Sequence, residues 1–314
     1  MALIGLDNAD LKLILFGGKG GVGKTSCATA TAIELSQKHK TLIISTDPAH
    51  SISDCLGQKI RYGVQHYECI DNLCVTEIIA EQAFKDFKKE HEEVLTDLFK
   101  TSTNLDSEDI DDLMRLTVPG IDEVMSFKAI IDLIEEGKFS KYVVDTAPTG
   151  HLLRLISSPK MLDQWIKMAS KMRWKYRYMV TTFSGSYQED KTDALLIKLK
   201  KMVKRIESLL SDGNQCEFIP VCIPESMAIL ETGRLLSSLM DYKLSVRQMI
   251  INDVMESDGC PFCRERKSAQ QKYLDQIRIT YPQLNQVLVP LLPDEIKGQQ
   301  KLEQLRKLLF NNKN

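Results

Sequence analysis

The segment FGGKGGVGKTS, residues 16–26, constrains the fold most, because it matches the phosphate-binding pattern Gly-x-x-x-x-Gly-Lys-Thr from Gly18 to Thr25. The apolar run LKLILF precedes it and predicts a buried strand, and a helix is predicted from about Lys24 to Gln37. In such a loop the backbone N–H groups and the helix N-terminus bind phosphate oxygens. The sequence therefore predicts a nucleotide site made by Gly18, Lys19, Gly20, Gly21, Val22, Gly23, Lys24, Thr25 and Ser26.

Two lysines occupy this loop, where the pattern needs one. Lys24 is placed to reach the β- and γ-phosphates of a nucleotide, and the Thr25 hydroxyl is placed to bind Mg²⁺. The spacing alone leaves the role of Lys19 open, since an exposed lysine near phosphates also contributes a general positive field.

Short β-rich runs alternate with helical patterns along the rest of the chain. They are TLIIST (41–46), NLCVTEI (72–78), KYVVDTA (141–147), CEFIPVCI (216–223), VRQMIIN (246–252) and QVLVPLL (286–292). This alternation predicts an α/β fold with a mostly parallel sheet flanked by helices. Ligands of such sheets bind at the carboxyl ends of the strands.

Two aspartates are predicted at that edge of the sheet. Asp47 follows the strand at 41–46, where a carboxylate can orient the water that attacks a γ-phosphate. Asp145 ends the strand near 141–147, where P-loop proteins place an aspartate that organises magnesium. Aspartate is also common in plain turns, so the phosphate loop is what favours the catalytic interpretation.

Charge and apolar runs exclude several classes of protein. The formal net charge is −2, which gives no general attraction to nucleic acid. The first residues lack the pattern of a signal peptide, and no apolar run reaches about 18 residues, so we expect a cytoplasmic protein. The eight cysteines of such a protein are expected to be free thiols or metal ligands.

One cysteine pair has the spacing of a metal site. Cys260 and Cys263 form a Cys-x-x-Cys motif in the segment DGCPFCRERK and can supply two corners of a tetrahedral zinc site. A redox pair and two buried thiols are the alternatives, because a structural zinc site needs four ligands.

Two regions, at about 80–126 and 160–212, are predicted to be helical and amphipathic. In the second region, one helical face is formed by Met161, Trp165, Met168, Met172 and Met179, and another by Leu195, Leu199, Met202, Ile206 and Leu209. Such faces form either ordinary core or a binding groove, and the pattern by itself leaves both open.

Several motifs together resemble one family. They are GGKGGVGKTS, STDPAHS, PGIDEVMSF, DTAPTGHLLR, PESMAILETGRL, IIND, CPFC and PLLPDEIKG, and they span almost the whole chain. The sequence is similar to the deviant-Walker P-loop ATPases of the arsenite-pump family, and especially to its branch that targets tail-anchored membrane proteins. The resemblance implies a single P-loop NTPase domain over residues 1–314, with helical client-binding insertions at about 80–126 and 160–212.

The resemblance also implies roles for individual residues in ATP hydrolysis. Lys19 would reach phosphates bound by the other subunit of a homodimer, and Asp47 would be the catalytic aspartate. Asp145 would head the second switch segment, in which His151 would relay conformation. The remaining nucleotide-pocket positions would be Glu225, Asn252 at the adenine, and the turn of Pro290, Leu291, Leu292 and Pro293.

Zinc and a hydrophobic client are implied in the same way. One zinc ion would be shared across the dimer by Cys260 and Cys263 of each subunit. The client groove would include Met161, Trp165, Met168, Met172, Met179, Leu199 and Met202. The protein would use ATP, Mg²⁺ and Zn²⁺, shield the transmembrane segments of tail-anchored proteins in the cytoplasm, and not bind nucleic acid. It would receive clients from a handover factor and deliver them to a receptor at the endoplasmic reticulum membrane, with which it would associate transiently.

Two other functions stay open as alternatives. An arsenite efflux ATPase would need cysteines close to the switch segments, and no cysteine lies between Cys74 and Cys216. A positioning ATPase of the MinD or ParA kind would need a terminal membrane-binding helix or a basic patch for DNA.

Overall fold

The computed structural model describes residues 1–47, 51–60, 63–102, 121–147 and 149–311. Within them the strands are β1 Leu13–Gly17, β2 Thr41–Ser45, β3 Gln65–His66, β4 Leu73–Glu77, β5 Lys141–Asp145, β6 Cys216–Cys222, β7 Gln248–Val254 and β8 Asn285–Pro290. The helices are α1 Lys24–Ser36, α2 Ser51–Leu56, α3 Ala80–Ser102, α4 Ile121–Glu135, α5 Thr149–Ser184, α6 Lys191–Ser211, α7 Ser226–Asp241, α8 Pro261–Thr280 and α9 Gly298–Phe310.

These elements form two compact units. The first contains residues 1–78, 132–153 and 209–314, and the second contains residues 79–131 and 154–208. The helical insertions expected at about 80–126 and 160–212 remain a prediction, since residues 103–120 lie outside the described part of the chain.

The first unit is built on an eight-stranded sheet with the order β3-β4-β2-β5-β1-β6-β7-β8. Strand β1 lies between β5 and β6 and pairs in parallel with both, Leu13 opposite Tyr142 on one side and Cys216 on the other. Among the strands of the described residues, only the two-residue strand β3 is antiparallel, to β4. The predicted mostly parallel α/β sheet is therefore confirmed, and the carboxyl end of β1 lies where the strand order reverses.

The core of this unit consists of the apolar strand residues and the helices that cover them. The side chains of Ile14, Phe16, Ile43, Val143 and Ile219 are fully buried. Each such side chain contributes ~1.5–3 kcal/mol relative to its exposure in water. Helix α1 packs its alanine-rich sequence against the sheet, because small side chains allow the helix to approach the strands closely.

Three predicted strands have boundaries that differ from the structure by two residues, and one strand was missed. The strands predicted at 141–147 and 286–292 end two residues earlier, at Asp145 and Pro290. The strand predicted at 246–252 begins two residues later and ends at Val254, because the ladder with β8 resumes after an irregularity between Ile251 and Val254. Strand β3 was not predicted, because two residues are too few to show an alternating pattern.

The second unit has an apolar core between its helices. Helices α3, α4, α5 and α6 supply its buried residues, which are Phe87, Val124, Met125, Leu162, Ile166, Leu195, Leu199 and Val203. Our prediction that Leu199 lies in a client groove is corrected by this placement. Its side chain is only 5% exposed, because this face of α6 packs inside its own unit.

A buried arginine connects the helices of the second unit. Arg173 on α5 is 2% exposed and pairs with Asp97 on α3 at 3.4 Å. It also pairs with Asp190 and, at 3.6 Å, with Asp193 at the start of α6. Because removal of one partner from a buried ion pair is costly, this cluster holds α5 against both neighbouring helices.

Among the described residues, no helix is both long enough and apolar enough to cross a membrane.

Candidate functional site

The phosphate loop connects β1 to α1 at the centre of the sheet, and two glycines give it its shape. A side chain at Gly18, which has φ +151°, would place its Cβ 2.1 Å from the carbonyl oxygen of Val221 on β6. A side chain at Gly23, which has φ +88°, would place its Cβ 2.5 Å from the Asn252 amide nitrogen. Both positions therefore require glycine for conformation and for space.

Lys24 is folded back over the loop that it follows. Its side chain is almost fully buried, and its ammonium group donates a hydrogen bond to the carbonyl oxygen of Lys19 at 3.1 Å. Burial lowers the pKa of Lys24, while the charges of Asp145 and Asp47 oppose that shift. The ammonium group thus lies inside the loop, where the pattern predicts a contact with nucleotide phosphates.

Thr25 and Asp145 meet beneath the loop. The Thr25 hydroxyl donates to Oδ2 of Asp145 at 2.7 Å. Oδ1 of Asp145 is buried and has no hydrogen-bond partner among the described residues. Burial raises the pKa of Asp145 to about 7, and Asp47 adds to the rise, while Thr25 and Lys24 oppose it.

This pair fits a magnesium ion that arrives with a nucleotide. The donor set is a hydroxyl and a carboxylate, and Mg²⁺ prefers hard oxygen ligands of this kind, often through bound waters. A hydrated cation at this position would supply the hydrogen-bond partner that the buried Oδ1 of Asp145 lacks.

Asp47 lies two residues beyond β2, near the same group. Its backbone N–H donates to the Ser45 hydroxyl at 3.1 Å. Its charge raises the pKa of both Lys24 and Asp145, which shows that the three ionisable groups share one field. The predicted catalytic aspartate thus stands beside the predicted phosphate and magnesium ligands.

An open cavity of about 650 Å³ lies over the loop. The predicted residues in its wall are Gly20, Gly21, Gly23, Lys24, Thr25, Ser26, Asp47, Asn252, Pro290 and Leu292. The remaining predicted pocket residues lie outside this wall, and they are Gly18, Lys19, Val22, Asp145, Glu225, Leu291 and Pro293. Sequence reasoning missed Asp54 and Asp253 and the segment of Asp294, Glu295, Ile296 and Lys297. Asp54 lies in no motif, and the motifs IIND and PLLPDEIKG contain Asp253 and residues 294–297 without indicating that these residues line the cavity. That role follows from the folding of distant segments onto the loop.

Asn252 and Asp253 enter the cavity through a distortion of β7. The register with β8 is irregular here, and Asp253 has φ +56°. The Asn252 amide donates to the carbonyl oxygen of Val22 in the phosphate loop at 3.1 Å. A bulge of this kind turns side chains away from the regular pleat, and here it brings Asn252 to the loop.

Gln270 on α8 stabilises the irregular backbone at the end of β7. No sequence pattern indicated that role. Its buried amide donates to the carbonyl oxygen of Asp253 at 3.0 Å and accepts from the N–H of Met255 at 2.8 Å. The backbone groups freed by the bulge are thereby satisfied.

Glu225 lies at the start of α7, outside the cavity wall. Its carboxylate is 3.6 Å from Arg266 of α8, and its charge contributes to the raised pKa of Asp253, for which burial is the main cause. Glu225 is therefore near the cavity, but its ion pair is with Arg266 of α8.

Cys260 and Cys263 lie at the N-terminus of α8. The two sulfurs are hydrogen-bonded to each other at 2.8 Å, and the backbone N–H of Cys263 donates to the Cys260 sulfur at 3.2 Å. These two bonds lower the pKa of Cys260. Among the described residues no group of three or more potential ligands is arranged to hold a metal ion, so one chain offers two thiols.

The predicted groove residues in the second unit fall in different environments. Met161, Met168 and Met179 on α5 are 39%, 50% and 49% exposed. Trp165 packs against Ala169 and Leu196, and Met202 packs at the edge of the core. The side chains of Met172 and His151 lie outside the described part of the structure.

The glycine-rich loop connects β1 to α1 at the switch point of a parallel sheet, and it carries a lysine and a threonine–aspartate pair. These features define a P-loop nucleotide-binding protein. Residues 11–311 match the family described as anion-transporting ATPase. The chain belongs to this family. Because the family is one of ATPases, the expected ATP-hydrolysing activity is confirmed.

Individual relatives cover nearly the whole chain. The protein is 35% identical over 318 residues to ATPase ASNA1 homolog 2 of Paramecium tetraurelia, covering 98% of this chain and 96% of the relative. It is 36% identical over 312 residues to ATPase ASNA1 homolog of Dictyostelium discoideum, covering 97% and 91%. It is 31% identical over 315 residues to ATPase get3 of Pyrenophora tritici-repentis, covering 97% and 92%.

The raised pKa of Asp145 predicts a pH dependence of stability in the protein without nucleotide or metal. Between the ordinary value of 3.8 and about 7, the folded protein keeps a proton that the unfolded chain has lost. The free energy of unfolding should therefore fall from pH 5 to pH 8, relative to Asp145→Asn, by on the order of 2 kcal/mol. Denaturant titrations in the presence of a chelator measure the free energy of unfolding of both proteins at each pH. If the difference in this free energy between the parent and Asp145→Asn does not change with pH, the raised pKa of Asp145 is wrong.

Gln270→Met should weaken ATP binding. The variant fills the same space but leaves the Asp253 carbonyl and the Met255 N–H without their buried partner, at about 1–3 kcal/mol for each group. Relaxation of the bulge should raise the Kd for ATP by about fivefold or more. The control is Gln271→Met, since the exposed Gln271 amide donates to Asp275 at 2.9 Å and forms no other hydrogen bond with the described residues. Equal Kd values for Gln270→Met and the parent, by calorimetry, exclude this role.

Proposed function

We propose that this protein is a dimeric ATPase that shields the transmembrane segments of tail-anchored membrane proteins and releases them at a membrane. Family membership and the relatives named ASNA1 and get3 support the targeting branch to which the sequence motifs are similar. The observation that carries the proposal is the row of exposed methionines on α5 of an ATPase with a nucleotide site in its other unit.

Exposed methionines are unfavourable in water unless a ligand covers them. Met161, Met168 and Met179 share one face of α5, and each leaves more than a third of its surface exposed. Methionine is unbranched and polarizable, so it repacks against many apolar sequences. A transmembrane segment of about 20 residues extends for roughly 30 Å, which favours a groove assembled from the helices of two subunits.

Nucleotide would couple the two subunits through Lys19. Gly20 and Gly21 at the tip of the loop are exposed, and Lys19 beside them is half-buried. Among the described residues no carboxylate pairs with the Lys19 ammonium group. In a dimer with facing loops, this cation completes the partner's phosphate site, so that ATP binding and closure depend on each other.

Hydrolysis would then open the dimer. Lys24 would contact the β- and γ-phosphates, and Thr25 and Asp145 would hold Mg²⁺, which would neutralise phosphate charge. Asp47 would orient the attacking water, and the loss of the γ-phosphate would favour opening of the dimer, with His151 relaying that change. Asn252 lies beside the loop, where its amide can bind the adenine edge.

Zinc would join two copies through the cysteine pair. Each chain supplies Cys260 and Cys263, and a two-fold axis brings two such pairs to one tetrahedral ion. The pair fits this role because both thiols are partly accessible and their sulfurs already face one another.

Four of the other six cysteines argue against arsenite transport. Cys27, Cys55, Cys216 and Cys222 are buried, and burial raises the pKa of each, to about 11 for Cys55 and about 12 for Cys222. Thiolate is the ligand form that soft metalloids need, so these protonated thiols are poor ligands.

The proposal includes the cellular route. A cytoplasmic handover factor supplies the client, and a receptor at the endoplasmic reticulum membrane accepts the loaded dimer, with which the protein associates transiently. These partners follow from the targeting role, because a shielded segment must enter and leave the groove without exposure to water.

Client capture tests the proposal. A peptide with about 20 consecutive apolar residues should co-purify with the protein in the presence of ATP and Mg²⁺, and capture by Met168→Asp should fall at least about tenfold, because a charge then faces the apolar segment. The matched control is Ser170→Asp, which adds the same charge at an exposed position on another face of α5. Equal capture by both variants, or none by the parent, refutes the proposal.

A further inference from the structure

Helix α5 has a third face that neither the core nor the groove uses. Its core face contains Leu162, Ile166, Ala169 and Arg173, which are all buried. The methionines lie on a second face. The third consists of Lys160, Gln164, Lys167, Lys171, Trp174 and Tyr178, at spacings of four, three, four, three and four residues. We call these six residues the lysine–aromatic stripe.

All six residues of the lysine–aromatic stripe are exposed. Trp174 and Tyr178 are 67% and 65% exposed, and their rings stack at 6.1 Å between centroids. Lys167 pairs with Asp163 at 2.5 Å, whereas no described residue forms an ion pair with Lys171. The stripe extends for about 27 Å along the helix, given a rise of 1.5 Å per residue.

The surrounding charge is strongly positive. Helix α5 contains seven lysines and arginines and a single acidic residue. Residues 149–211 together contain thirteen basic and five acidic residues, although the whole chain has a net charge of −2. The positive charge is therefore concentrated in one part of the sequence, which is typical of proteins that bind a polyanionic surface.

We propose that the lysine–aromatic stripe binds the surface of a membrane that contains anionic lipids. Lysine side chains extend their apolar stems along a membrane and place the ammonium group among the headgroups. Tryptophan and tyrosine prefer the same interfacial depth, because one end of each ring system is apolar and the other is polar. A straight row of both kinds of side chain matches a flat, negatively charged surface.

The composition of the stripe favours lipid over nucleic acid. It contains no arginine, the residue whose planar group pairs with phosphates in bidentate contacts. The two aromatic rings stack on each other at one end, whereas rings that bind single-stranded nucleic acid are free to stack on successive bases.

Vesicle flotation tests this inference with the full chain, without client or nucleotide. The parent protein should bind vesicles of phosphatidylcholine with about 30 mol % phosphatidylserine at least tenfold more tightly than phosphatidylcholine alone. Lys167→Gln/Lys171→Gln and Trp174→Ser/Tyr178→Ser should each weaken that binding about fivefold or more. The charge-matched control is Lys138→Gln/Lys272→Gln, which removes two exposed lysines elsewhere and should bind like the parent.

Each other outcome overturns the inference. Equal binding to both kinds of vesicle, or unchanged binding by the stripe variants at parental circular dichroism, removes the stripe from membrane contact. Tighter binding to a single-stranded RNA or to polyglutamate, lost in the same variants, identifies a different occupant. Vesicle flotation is carried out without client, so the two experiments are independent. A negative flotation result does not contradict the client-capture result, and a negative client-capture result does not contradict membrane binding by the stripe.

Discussion

The site depends on the close approach of the phosphate loop to the strands on one side of it. The carbonyl oxygen of Val221 and the amide of Asn252 occupy the space that side chains at Gly18 and Gly23 would need. The Asn252 amide also donates to the loop at Val22. The loop therefore takes its shape from β6 and β7 as much as from its own glycines, and a change at β7 is transmitted to the phosphate ligands.

A chain of contacts extends this constraint to the cysteine-bearing helix. Gln270 of α8 holds the backbone around Asp253 and Met255, and Asn252 precedes that backbone directly. The same helix begins at the Cys260–Cys263 pair, so a link between two copies at that end would act on an element that supports the nucleotide cavity. Such a link between two copies and the binding of nucleotide would therefore affect one another through α8.

The parts that sequence could predict are those that depend on local pattern. The loop, the strands and the positions of Asp47 and Asp145 follow from periodicity and from a motif whose geometry is fixed by its own residues. The roles of Gln270, Asp253 and Asp294 were not predicted, although the motifs IIND and PLLPDEIKG contain the two aspartates, because these roles arise from contacts between distant segments. Leu199 shows the limit of periodicity, since an amphipathic face predicts burial but does not say whether the covering surface belongs to the same chain.

The central claim is that Lys19 of one copy completes the nucleotide site of another, and a mixture of two inactive variants tests it most directly. Lys19→Ala and Asp47→Asn should each hydrolyse ATP poorly alone. In a mixed dimer, the site that keeps Asp47 receives Lys19 from its partner, so equimolar mixing after dissociation should restore about a quarter of the parental ATPase rate per chain. A mixture that stays as inactive as its components would contradict the claim, because a lysine acting within its own chain cannot complement the other subunit.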